Sequence, residues 1–158
     1  MYLLAASKAN ANFPRNGVWS TRCDKHAASF DRLKGKRAAV LLFSYYPEDP
    51  RPRLAAEALA REGVAIDLIC LQQDRSQPRR EVINGVNVFR VPLKRHRSGP
   101  IKYVAQYFVF ILRSFLYLSA RSLPRKYDFV HVHNMPDALV FSAAVPKLLG
   151  AKVVLDLH

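Results

Sequence analysis

The sequence predicts an α/β fold: a Rossmann-like three-layer domain built on a mostly parallel sheet. Three observations lead there. Short, nearly continuous apolar runs recur along the chain, as in strands buried on both faces. Helix-like segments separate most of these runs, so consecutive strands need crossovers rather than tight turns. No internal repeat competes with this pattern.

Residues 1–36 carry seven basic side chains against Asp24 and Asp31, without clear periodicity, and read as a flexible basic leader. The opening MYLLAASKAN has no charged n-region and too short an apolar stretch for a secretory signal. The domain is expected over 37–158. RAAVLLFS (37–44) is the first buried strand, and the three prolines of YYPEDPRP (45–52) predict a loop. RLAAEALAREG (53–63) puts Leu54, Ala55, Ala58 and Leu59 on one face and closes at Gly63, a helix with its C-cap. VAIDLICL (64–71) is the second strand. QQDRSQPRREVING (72–85) is polar and turn-rich, and VNVFRVPL (86–93) alternates as a third strand ending near Pro92.

IKYVAQYFVFILRSFLYLSARSL (101–123) is the most apolar segment and is long enough to span a bilayer. Arg113 sits at its centre, where a charge in a membrane costs at least ~2.5 kcal/mol. Lys102, Gln106, Arg113 and Arg121 fall near one narrow stripe, which predicts a sheet-packed helix with a thin wet edge. KYDFVHVHN (126–134) is the fourth strand. PDALVFSAAVPKLLG (136–150) is a helix with Asp137 as N-cap and an interruption at Pro146, and AKVVLDLH (151–158) is the fifth strand.

With 158 residues, half of them hydrophobic, the chain can bury a real core. Cys23 and Cys70 are too few and too scattered for a disulfide framework or a zinc-cysteine site; Cys70 reads as a buried thiol. The formal net charge of +13 implies anionic partners.

In open parallel sheets, ligands bind beyond the carboxyl ends of the strands where strand order reverses. The unusual polar residues collect there. Ser44, Tyr45, Tyr46, Glu48, Asp49, Arg51 and Arg53 follow the first strand, His131, His133, Asn134 and Asp137 the fourth, and His158 ends the fifth. Alternation puts His131 and His133 on one face. Arg51 and Arg53 at a helix start oppose the helix dipole, which suits an anionic ligand. Each residue also has an ordinary structural reading, and the argument rests on their convergence at one edge. No G-x-G-x-x-G or Walker A loop follows the first strand, and no G-x-S-x-G elbow is present. For metal, the H-x-H pair has no carboxylate or cysteine partner close by in sequence, so none is expected.

The segments YYPEDPRPRLAAEALAREG and HVHNMPDALVFSAAVPKLLGAKVVLDLH together resemble the N-terminal, acceptor-side domain of family-4 glycosyltransferases of the GT-B fold. The resemblance runs from Arg37 to His158 and departs at Leu54, where members carry a second arginine. It implies an enzyme of two facing Rossmann-like domains that transfers a sugar with retention and without a metal. The nucleotide-sugar donor would bind the other half, so that this chain alone would be inactive. It further implies that His158 contacts the transferred sugar. Tyr45, Tyr46, Asp49, Arg51, Arg53, His133, Asn134 and Asp137 would line the side facing a glycan or lipid-linked acceptor.

Between residues 75 and 102 basic residues far outnumber Glu81, the one acid there. Arg90, Lys94, Arg95, Arg97 and Lys102 read as a patch for an anionic membrane surface, each contributing ~1 kcal/mol near anionic lipid. The chain is then expected in the cytoplasm, peripheral on the cytoplasmic face of a membrane. Nucleic acid is not expected, because the basic residues are not interleaved with exposed aromatics. A second reading is a non-catalytic membrane-docking module that complements a separate donor-binding subunit.

Overall fold

The computed structural model of the protein describes residues 33–93, 100–133 and 137–156. Among them, six strands form one sheet in the order β3-β4-β2-β1-β5-β6. They are β1 (Arg37–Tyr45), β2 (Ala65–Leu71), β3 (Arg80–Ile83), β4 (Val86–Val91), β5 (Phe129–His133) and β6 (Lys152–Asp156). All neighbours run parallel except β3 and β4. Chain order reverses across β1, so the β1–β5 junction is the topological switch point, as the alternation of strands and helices implies.

The central strands are apolar on both faces because each face meets its own core. Ala38, Val40 and Leu42 join Ile66, Leu68, Val86 and Val88 under α1 (Pro50–Arg61). Ala39, Leu41 and Phe43 join Ile69, Leu71, Val130 and Val132 under α2 (Pro100–Ser122). Phe43 anchors the second core edge-on to Tyr107 at 4.9 Å and to Phe110 at 5.1 Å. Each fully buried leucine or isoleucine in these layers stabilises the fold by roughly 1.5–3 kcal/mol. Cys70 is a free, buried thiol, pushed up to about 12 by that burial.

Three local details correct the sequence reading. First, α1 starts at Pro50, inside the segment expected to be loop. Pro50 and Pro52 occupy its first turn, where a missing N–H costs nothing because that turn has no intrahelical acceptor. The expected C-cap holds: Gly63 at φ +80° donates to Ala60 O, and Val64 donates to Leu59 O. Second, a strand, β3, lies within the turn-rich 72–85 segment. Asn84 and Gly85 both have positive φ and form the two-residue turn that folds β3 back on β4. Third, residues 137–148 form a 3-10 segment (Asp137–Ala143) followed by the short α3 (Ala144–Leu148), with Pro146 in α3.

α2 lies against the sheet through Tyr107, Phe110, Ser114 and Leu118. Its solvent side is not the polar edge expected. Val104, Phe108, Leu112 and Leu116, four residues apart, are all exposed, with Phe108 at 64%. Residues 102–122 are long and apolar enough to cross a membrane, and most of that stretch is not buried. The polar stripe, represented by exposed Lys102 and Arg113, borders this apolar row rather than replacing it.

The amino-terminal end of the sheet holds a closed polar network. Buried Asp67 receives hydrogen bonds from the Arg37 guanidinium, from the Tyr127 hydroxyl at 2.6 Å and from Asn87 Nδ2 at 3.1 Å. Arg37 also donates to the carbonyls of Arg121 and Arg125, tying the end of α2 to β1. Burial raises the Asp67 carboxyl, but the Tyr127 and Arg37 donors outweigh it and hold the group below the usual carboxylate range. The same burial, with Asp67 as acceptor, drives the Tyr127 hydroxyl far above its usual value.

Candidate functional site at the carboxyl edge

β1 outruns β5. Leu42 pairs with His133, the last residue of β5, so Phe43, Ser44 and Tyr45 extend beyond it. The chain then turns through a cis Tyr46–Pro47 bond into α1. Asp49 N donates to Tyr45 O, and Arg53 folds back to place its guanidinium 3.5 Å from Pro47 O. No acidic residue occupies the first turn of α1, and Asp49, at the N-cap, makes no side-chain cap bond. The exposed Arg51 and half-buried Arg53 therefore set two cations beside the positive end of the helix dipole, an arrangement that favours an anion.

Across the switch point, strand alternation and register build a second group. His131 and His133 leave the same face of β5, their rings 3.9 Å apart. β5 pairs with β6 so that His133 faces Asp156. His133 Nδ1 lies 3.1 Å from Asp156 Oδ2, which fixes the imidazole's orientation. Burial, then the neighbouring His133, lower the pKa of His131, with Asp156 opposing them.

The structure thus brings Tyr45, Asp49, Arg51 and Arg53 to one side of the β1–β5 junction and His133 to the other. Asp137 opens the 3-10 segment that follows β5. Asn134, His158, Lys94, Arg95 and Arg97 lie outside the described residues. Two sequence assignments change. Tyr46 is 2% exposed and packs in the α1-side core, where burial and Glu57 push its hydroxyl up to about 12. It offers no surface to an acceptor. Arg90 is 3% exposed, because its guanidinium donates to Glu81 Oε2 at 2.8 Å and to Pro78 O at 3.0 Å. It braces the β3–β4 hairpin and cannot meet a membrane, whereas Lys102 is exposed. Asp156 was missed: its role depends on which β5 residue it faces, and spacing along the chain does not carry that. A separate cleft of about 430 Å³, lined by Arg80, Glu81, Asn87, Tyr117 and Arg121 among others, lies over the hairpin and the end of α2.

A doubly wound domain with its polar side chains gathered beyond the strand ends at a switch point is a ligand-binding domain of the Rossmann-like class. Residues 50–158 match the family described as the glycosyl transferase 4-like domain, a span running from the first turn of α1 through β6. The chain belongs to that family and is a glycosyltransferase domain of the GT-B, family-4 type. No curated protein matches it in sequence. Among solved structures it is similar to the C-terminal domain of a hydrogenase from Pyrococcus furiosus, with TM-score 0.55, 16% identity and coverage of 78% of this chain and 93% of that one. It is also similar to sucrose-phosphate synthase from Thermosynechococcus elongatus, with TM-score 0.48 and 17% identity over 77% of this chain and 32% of the synthase. At such identities the likeness to the hydrogenase domain is one of fold alone.

Proposed function

We propose that the chain is the acceptor-binding half of a retaining, nucleotide-sugar-dependent glycosyltransferase acting on a membrane-associated or glycan acceptor, and that turnover requires a donor-binding half. The observation that carries this reading is the family match, which includes α1, the end of β5 and β6, three of the elements that converge on the carboxyl edge. Sugar transfer passes through an oxocarbenium-like state with a departing diphosphate. Polar groups aimed at the sugar and cations near phosphate lower that barrier. On this reading Tyr45, Asp49, Arg51 and Arg53 face the acceptor from one side, with His133, Asn134 and Asp137 opposite. His158 contacts the transferred sugar.

The exposed row on α2 supports a membrane location for the acceptor. Val104, Phe108, Leu112 and Leu116 would enter the headgroup boundary while Lys102 and Arg113 meet anionic lipid. Such a domain sits peripherally on the cytoplasmic face of a membrane. This face equally favours the second reading, a docking module that serves a separate donor-binding subunit.

The test is transfer of radiolabelled sugar from a panel of nucleoside diphosphate sugars into lipid or glycan. The chain would be assayed with its donor-binding half, joined or added. Transfer that needs both halves and collapses on His158→Ala, with folding intact by circular dichroism, is expected. Transfer indifferent to His158 removes that residue from the site, and no transfer with any donor overturns the proposal.

A further inference from the structure

We propose that His131, His133 and Asp156 bind a divalent transition-metal ion of the zinc class at the carboxyl edge of the sheet. The three side chains offer one ligand atom each, all within 4.8 Å of one another. Two bonds of about 2.0–2.1 Å at a tetrahedral ion set ligand atoms roughly 3.3 Å apart. The 3.1 Å between His133 Nδ1 and Asp156 Oδ2 already meets that spacing. His131 is half-buried, and its ligand atom lies within 4.8 Å of the other two.

The backbone holds this arrangement. Residues i and i+2 of β5 share a face, and the β5–β6 ladder sets Asp156 opposite His133 and Val154 opposite His131. The ligands therefore sit on rigid strands rather than on a loop, so little ordering is needed when an ion arrives. The donor set also selects its ion. Two imidazoles and one carboxylate suit zinc, cobalt or iron, whereas magnesium and calcium prefer oxygen ligands throughout. Three protein ligands leave a fourth position open to water or to a ligand oxygen.

Access is available. Asp156 is 32% exposed, and Val154 on the same face of β6 is 48% exposed. In a chain of net charge +13 the wider field repels cations, so the carboxylate must carry most of the attraction. That gives the proposal a sharp dependence on Asp156. The ion plays no part in the sugar transfer proposed above. It would clamp the ends of β5 and β6 together; His133 is shared with the acceptor side proposed above, and the cobalt and melting readouts, which need neither donor nor acceptor, keep the two tests apart.

The experiment uses chelator-treated chain of residues 1–158 titrated with Co²⁺ and, in competition, Zn²⁺. Visible absorption of the cobalt and the melting temperature are followed together. One equivalent should bind with a tetrahedral cobalt spectrum and a raised melting temperature. Asp156→Asn, nearly isosteric and partly exposed, should weaken binding at least about tenfold, and His131→Ala likewise. His26→Ala and His96→Ala should leave it unchanged. Both variants at issue alter partly exposed side chains, so a folded protein is expected for comparison. Equal affinity in wild type and Asp156→Asn, or no rise in melting temperature with either ion, overturns the site.

Discussion

The two ends of the sheet both carry buried polar groups, and they differ in how those groups are answered. At the amino end, Asp67 is enclosed by Arg37, Tyr127 and Asn87, and Arg37 donates further to the Tyr127 hydroxyl and to two backbone carbonyls. The cluster is closed: every charge there has a counterpart inside the protein. At the carboxyl edge, Arg51 and Arg53 stand at a helix start with no acid in its first turn, and the His131–His133–Asp156 group opens toward solvent. Closure marks the first as architecture. Openness at a switch point is the arrangement that the proposed acceptor site calls for.

The largest expected effect comes from breaking the closed end. Asp67→Asn leaves the Arg37 guanidinium buried without its counter-charge, and should destabilise the domain by about 3–5 kcal/mol in urea unfolding. A loss below about 1 kcal/mol would mean that the network is not the anchor its geometry implies. The same carboxyl sets a pH window. Its folded pKa lies below the ordinary carboxylate value, so the unfolded chain takes up the proton first as pH falls. Its stabilising contribution is complete above the unfolded value of about 3.9 and is lost as pH drops through the folded one. Urea midpoints between neutral and strongly acid pH should fall in that range for wild type, and this component should be missing in Asp67→Asn.

Smaller effects sharpen the contrast from the surface. Phe108→Glu with Leu116→Glu alters only the exposed side of α2, so stability should change by roughly 0.5 kcal/mol or less at each position. Sedimentation with anionic lipid vesicles should nevertheless be lost. Vesicle binding that survives both changes would assign membrane contact elsewhere.

Much of this was legible in the chain, because buried parallel strands write themselves as apolar runs. The strands 37–44, 64–71, 86–93, 126–134 and 151–158 correspond to β1, β2, β4, β5 and β6 with small shifts at their ends. β3 escaped because an exposed edge strand needs no apolar pattern, although Asn84-Gly85 is a hairpin signal in its own right. The start of α1 escaped because prolines that break a helix interior are welcome in its first turn. At the candidate site, the placement of His133 and the Tyr45–Arg53 loop at the carboxyl edge was legible from strand ends alone. Arg90 and Asp156 were not: one basic residue in a basic stretch was buried by Glu81, and the carboxylate reached the histidines only through β5–β6 register. Pairing between strands distant in sequence is the information a single chain states least directly.

The central claim is that the carboxyl edge, and not the closed amino end or the cleft over the hairpin, receives the acceptor. Amide chemical-shift mapping of the ¹⁵N-labelled chain tests it most directly, using short-chain, water-soluble polyprenyl-phosphate-linked sugars and free oligosaccharides as probes. The account expects saturable shifts confined to residues 44–53, 131–133 and 156 and their neighbours. Shifts centred on Arg37, Asp67 and Tyr127, or on Arg80 and Arg121, would contradict it.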